Sequence, residues 1–146
     1  MKVSVFSRNK AESLISKGDF PPNAAVISFC DCGTKPCDRI DYSTVCGRVM
    51  YIVLDDLGID DLNEEGYTYD TFFPEAHEAA EFILDAYNSG LSIMCQCEYG
   101  ESRSAGCAAA IEEHFCKRGI RIFEDFGYYP NKVIYHKILD ELRKMA

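Results

Sequence analysis

One stretch of this chain restricts the possible folds more than any other. An apolar run, Leu91 to Cys95, leads into Cys97-Glu98-Tyr99-Gly100-Glu101-Ser102-Arg103-Ser104, and a run of small residues follows from Ser104 to Cys116. The first run reads as a buried strand. In the second, Ala105, Ala108, Ala109 and Ile111 recur at helical spacing. Strand, tight loop and helix therefore follow one another directly, and Gly100 gives the loop a residue free to take positive φ.

Such a unit makes an anion cradle. The loop N–H groups and the helix N-terminus both present partial positive charge. Five residues separate Cys97 from Arg103. This spacing sets a thiol at the floor of the cradle and a guanidinium at its rim, with Ser102 and Ser104 as flanking donors. Placement between a strand and a helix gives the spacing its meaning, because a cysteine and an arginine at this distance recur by chance.

The remaining elements alternate around this unit. Lys2 to Phe6 reads as a short strand. Asn9 is placed to cap a helix carrying Ala11, Leu14 and Ile15 on one face, and Gly18 ends it. Ala24 to Phe29 and Arg48 to Leu54 read as strands, with a polar loop from Asp31 to Cys46 between them. Asp55 to Tyr69 is an acidic surface excursion. Phe73-Pro74 opens a helix with Pro74 near its first position, Ala76, Ala79, Ala80, Phe82, Ile83, Ala86 and Tyr87 on its buried face, and Asn88-Ser89-Gly90 at its end. Ile120 to Tyr129 fits either a short strand or an aromatic loop. Pro130-Asn131 begins a last helix with Val133, Ile134, Ile138, Leu139 and Leu142 on one stripe. Alternating strands and helices predict an α/β fold with a mostly parallel central sheet flanked by helices. The cysteine loop then lies at the carboxyl end of a strand, where such sheets bind ligands.

The chain has 146 residues, enough for one domain with its own core, and we expect residues 1–146 to form a single unit. The net charge of −9 argues against nucleic acid and against an anionic membrane as partners, since both need a basic face. No apolar run is long enough to span a bilayer, and the start is charged too early for a secretory signal, so the expected compartment is cytoplasmic. There the eight cysteines are expected to be reduced. Cys30, Cys32, Cys37 and Cys46 lack the paired spacing usual for zinc. His77, His114 and His136 have no ligand partner at metal spacing.

The run from Ser92 to Ser104 resembles the phosphate-binding loop of cysteine-dependent protein tyrosine phosphatases, and among them small dual-specificity-like and bacterial members. Val5-Phe6-Ser7-Arg8, Ala25-Val26-Ile27-Ser28, Val53-Leu54-Asp55-Asp56 and Tyr129-Pro130-Asn131 are similar to segments of bacterial members. The resemblance implies a phosphotyrosine protein phosphatase-like fold and hydrolysis of a phosphorylated protein or small phosphomonoester, with no metal or organic cofactor. It implies Cys97 as nucleophile, Arg103 and the loop amides of Glu98, Tyr99, Gly100, Glu101, Ser102 and Arg103 as the phosphate grip, and Ser104 as a donor to the sulfur. The general acid is expected among Asp55, Asp56, Asp60, Asp61 and Asp70, with Asp56 first at the end of its strand and Asp55 second. The charged side chains of Glu98 and Glu101 are expected to face solvent. Tyr128 and Tyr129 fit either the pocket mouth or the core.

One residue departs from the family. The position before the cysteine is usually histidine, and here it is Gln96. Two other functions stay open at this level. One is a phosphate- or phosphopeptide-binding module with weak or no turnover. The other is a rhodanese-like or thiol-redox enzyme, for which Cys95 and Cys107 offer a second thiol.

Overall fold

The computed structural model describes residues 2–145. Four strands, β1 (Val3–Phe6), β2 (Ala24–Cys30), β3 (Val49–Val53) and β4 (Ser92–Gln96), form one sheet in the order β1-β4-β2-β3. Every pairing is parallel. Around the sheet lie α1 (Arg8–Ser16), α2 (Ala76–Asn88), α3 (Arg103–Cys116), α4 (Ile120–Phe123) and α5 (Lys132–Met145), with single 3-10 turns at Pro36–Asp38 and Ile59–Asp61.

The strands are sorted by their period of two. Ala25, Ile27 and Phe29 of β2 and Ile93 and Cys95 of β4 point into one core with the apolar faces of α2, α3 and α5. Val26 and Met94 point into a smaller core with Ala11 of α1, Ile40 and Tyr42. Both faces of β2 and β4 are thus covered, which is why these strands read as nearly continuous apolar runs. Gly106 shows how closely α3 is packed. A Cβ there would lie 2.4 Å from the Asn131 carbonyl oxygen, so a larger residue would force α3 away from the start of α5.

Four local expectations need correction. The cap of α1 is Ser7, whose Oγ accepts from Lys10 N–H at 3.1 Å, and not Asn9, which lies inside the helix. The helix after Phe73-Pro74 begins at Ala76 with Glu75 as its cap, because Phe73 takes φ 58° and turns the chain before the helix starts. Ile120–Phe123 is one helical turn rather than a strand, because the N–H groups of Arg121, Ile122 and Phe123 bond locally to the carbonyls of Arg118 and Gly119. Tyr87 was expected in the core, but it is 46% exposed and stacks on Phe115 with ring centroids 4.2 Å apart.

Candidate active site

β4 delivers Cys97 between its neighbours β1 and β2. Cys97 N–H donates to the Phe6 carbonyl at 3.2 Å, and Arg8 N–H donates to the Glu98 carbonyl at 3.1 Å. The loop is thereby stitched to the β1–α1 junction. Gly100 makes this approach possible. It takes φ 69°, and a Cβ there would sit 2.6 Å from the Ser7 nitrogen.

Beyond Cys97 the backbone donors go unused. None of the N–H groups from Glu98 to Ala105 has an acceptor among the described residues. The last three belong to the first turn of α3, where no intrahelical partner exists and the helix dipole is positive. Cys97 is 2% exposed, and its Sγ lies 3.0 Å from the Oγ of Ser104. A buried thiol, a hydroxyl and a row of unpaired amides form a compact receptor for a tetrahedral anion.

The Arg103 guanidinium is held from one side. Its Nη1 donates to Asp31 Oδ1 and to the Leu54 carbonyl, both at 2.7 Å. Nε and Nη2 have no protein acceptor among the described residues, so one edge of the planar fork stays available for two oxygens. Asp31, at the end of β2, is a partner that the sequence did not reveal. It lies 72 positions from Arg103, and no local pattern marks it.

The aspartates separate clearly. Asp56 Oδ1 accepts from Ser102 Oγ at 2.7 Å and from Asn131 Nδ2 at 2.9 Å, which brings it beside the cysteine loop. Asp55 faces elsewhere, accepting from Cys32 N–H at 2.9 Å. Asp61 accepts from Gly58 N–H at 3.1 Å, and Asp70 lines a different groove with His77 and Lys137. Asp60 lies with Asp56, Ile59, Ser102, Tyr129 and Asn131 around a groove of about 460 Å³. Tyr129 lines this groove at 73% exposure, while Tyr128 is half-buried; neither Cys97 nor Arg103 is in its lining. Glu98 and Glu101 are exposed, as expected.

Asn131 is a second residue that sequence reading missed as part of the site. Its Oδ1 caps α5 by accepting from Ile134 N–H at 3.0 Å, and its Nδ2 reaches Asp56 and the Leu57 carbonyl. One amide thus joins the start of α5 to the segment after β3. The approach to α5 is itself tied to the loop by Tyr129 N–H, which donates to the Glu101 carbonyl at 2.7 Å.

The other cysteines are dispersed. Cys95 and Cys107 are buried, and the Cys95 thiol is pushed well up by its hydrogen bond with Cys107 and by burial. Cys46 Sγ lies 3.0 Å from the Ala24 carbonyl, and Cys32 and Cys37 are exposed. Burial, followed by the charge of Asp55, pushes the Cys32 thiol up. Among the described residues no three His, Cys, Asp or Glu side chains gather as a metal would require, and no helix is long and apolar enough to cross a membrane.

No known family's sequence profile matches this chain, and no curated protein's sequence is similar to it. Solved structures do match its architecture. Human DUSP28 aligns with a TM-score of 0.58 and 10% identity over 98% of this chain and 92% of its own. The human tyrosine phosphatase-like serine/threonine/tyrosine-interacting protein aligns with a TM-score of 0.57 and 14% identity over 96% and 87%. A leucine-rich repeat and phosphatase domain containing protein from Entamoeba histolytica gives 0.55 and 10% over 98% and 87%. The fold is that of the cysteine-dependent tyrosine and dual-specificity phosphatases.

Proposed function

We propose that this chain hydrolyses phosphate monoesters through a phosphocysteine on Cys97. The observation that carries this reading is the Cys97 sulfur, 3.0 Å from Ser104 Oγ, at the head of the unpaired amides of Glu98 to Ala105. A nucleophile inside a ready-made oxyanion receptor is what acyl and phosphoryl transfer require.

The chemistry has two steps. In the first, the Cys97 thiolate attacks phosphorus and the ester P–O bond breaks. The free edge of Arg103 and the loop amides hold the non-bridging oxygens as charge builds on them. Asp56, in its protonated form, gives its proton to the departing oxygen. In the second step water attacks the phosphocysteine, Asp56 takes a proton from it, and the S–P bond breaks to release phosphate. Ser104 donates to the sulfur and makes it a better leaving group.

Asp56 suits the acid role because of its neighbours. Ser102 and Asn131 fix its Oδ1, and Oδ2 has no protein donor among the described residues, so it is free to carry the proton. Asp55 is spent on Cys32. Thiol-redox chemistry would draw on Cys95 and Cys107, which are free thiols buried inside the core, away from solvent.

The test is hydrolysis of para-nitrophenyl phosphate in the presence of a chelator by the wild type and by Cys97→Ser. Turnover that vanishes in the variant and is blocked by vanadate supports the reading. No turnover by the folded wild type between about pH 5 and 8, the range around an ordinary carboxylic acid and thiol, overturns it and leaves phosphate binding without catalysis.

A further inference from the structure

Behind the cysteine loop, on the α1 side of the sheet, three buried polar side chains meet. Ser28 of β2 and Gln96 of β4 are each 3% exposed, and Tyr42 is fully buried. Gln96 Oε1 accepts from Ser28 Oγ at 2.6 Å and from Tyr42 Oη at 2.8 Å. Gln96 Nε2 donates to the Cys97 carbonyl at 3.1 Å. A carbonyl can only accept, so the contact with Cys97 fixes which end of the amide is which. Oε1 must then face the two hydroxyls, and its two lone pairs match them one for one.

The Cys97 carbonyl has no other donor among the described residues. Its peptide is planar and trans, so the carbonyl and the Glu98 N–H point in opposite directions. Holding the carbonyl against Gln96 therefore aims the Glu98 N–H the other way, toward the anion site. This is the first unpaired donor of the cradle.

We infer that Tyr42 and Ser28 are positioning residues of the site, which lock Gln96 so that it orients the Cys97–Glu98 peptide toward a bound phosphate oxygen. The inference rests on the phosphatase reading for its catalytic meaning. It adds that Gln96 is the residue this site is built for, and not a weakened histidine. A neutral imidazole has one acceptor nitrogen and an imidazolium none, so histidine at this position cannot accept from both buried hydroxyls at once, as Gln96 does.

Vanadate affinity, measured by calorimetry, reads the cradle directly, and kcat and KM for para-nitrophenyl phosphate read turnover. Both are measured for the wild type, Tyr42→Phe, Ser28→Ala, the double variant and Gln96→His, with melting temperature as the fold control. Tyr42→Phe keeps the ring packed on Phe20 and Tyr51. Each single hydroxyl loss is expected to weaken vanadate binding about two- to tenfold, the size of one hydrogen bond, and to lower kcat. The double variant should lose more than either, and Gln96→His should bind vanadate more weakly than the wild type.

Unchanged vanadate affinity in Tyr42→Phe and the double variant overturns the inference, as does tighter binding by Gln96→His. Weaker binding that only follows a drop in melting temperature also overturns it, and the milder Ser28→Ala serves as the second reading. A wild type that binds vanadate without turnover refutes the proposed hydrolysis, yet the variants still judge the clamp. A folded wild type that neither binds nor turns over refutes both.

Discussion

The carboxylate of Asp56, just past β3, accepts a 2.7 Å hydrogen bond from the hydroxyl of Ser102, the residue just before α3. This bond joins the segment after an outer strand to the loop after a central one. It sets a carboxylate beside the cysteine loop, 46 positions from Ser102 in sequence.

Asp56→Asn should therefore damage chemistry more than fold. The amide keeps an acceptor for Ser102 and Asn131 but has no proton to give. The expected loss is about 10²- to 10⁴-fold in kcat for a substrate with a poor leaving group, such as phenyl phosphate. The loss should shrink for para-nitrophenyl phosphate, whose leaving oxygen needs less help. Comparing the two substrates checks this.

Ser104→Ala removes the hydroxyl that faces the sulfur at 3.0 Å. The second step should slow by about tenfold or more, the worth of a hydrogen bond to a charged group, while the first step holds. Stopped-flow traces should then show a burst of nitrophenolate followed by a slower steady state.

Gly100→Ala tests the stitching of the loop. With φ 69° and a Cβ 2.6 Å from the Ser7 nitrogen, the variant must shift β1 or the loop. It should cost more than about 1 kcal/mol, because alanine pays both for the dihedral and for the clash. A lower melting temperature and a lower kcat at permissive temperature are expected together.

The pair His77–Glu141, 3.1 Å apart, links α2 to α5. Its hydrogen bond to Glu141 raises the His77 pKa, and the same bond lowers that of Glu141. A raised histidine stabilises below its unfolded pKa and loses that contribution as pH rises through the folded one. A lowered glutamate stabilises above its unfolded pKa and loses it as pH falls through the folded one. The contribution is therefore greatest in weak acid, near about pH 5.5, between the ordinary values of the two groups. His77→Gln should lower the melting temperature there, and the difference should shrink as pH rises through the raised pKa of the wild-type histidine.

The sequence exposed what is local and hid what is not. Leu91 to Gln96 was readable as a strand because a short, largely apolar run from Leu91 to Cys95 dominates it, and the small residues after Arg103 announced a helix pressed against the sheet. The four residues Ile120–Phe123 were unreadable, because one turn carries no periodicity and β-branched residues favour strands. Cys97, Arg103 and Ser104 were visible through spacing. Asp31, Tyr42, Ser28 and Asn131 were not, since each reaches the site from another element and nothing beside it in sequence marks the contact. Asp56 could be ranked first by its place at a strand end, but only its bonds to Ser102 and Asn131 separate it from Asp55.

The most direct test of the central claim is to capture the intermediate. Ser104→Ala, mixed with para-nitrophenyl phosphate and quenched in acid within the burst, is digested and analysed by mass spectrometry. The account predicts phosphate on the peptide carrying Cys97, attached to sulfur and absent from Cys97→Ser. Turnover with no phosphate on that peptide, or with phosphate on another residue, would contradict it.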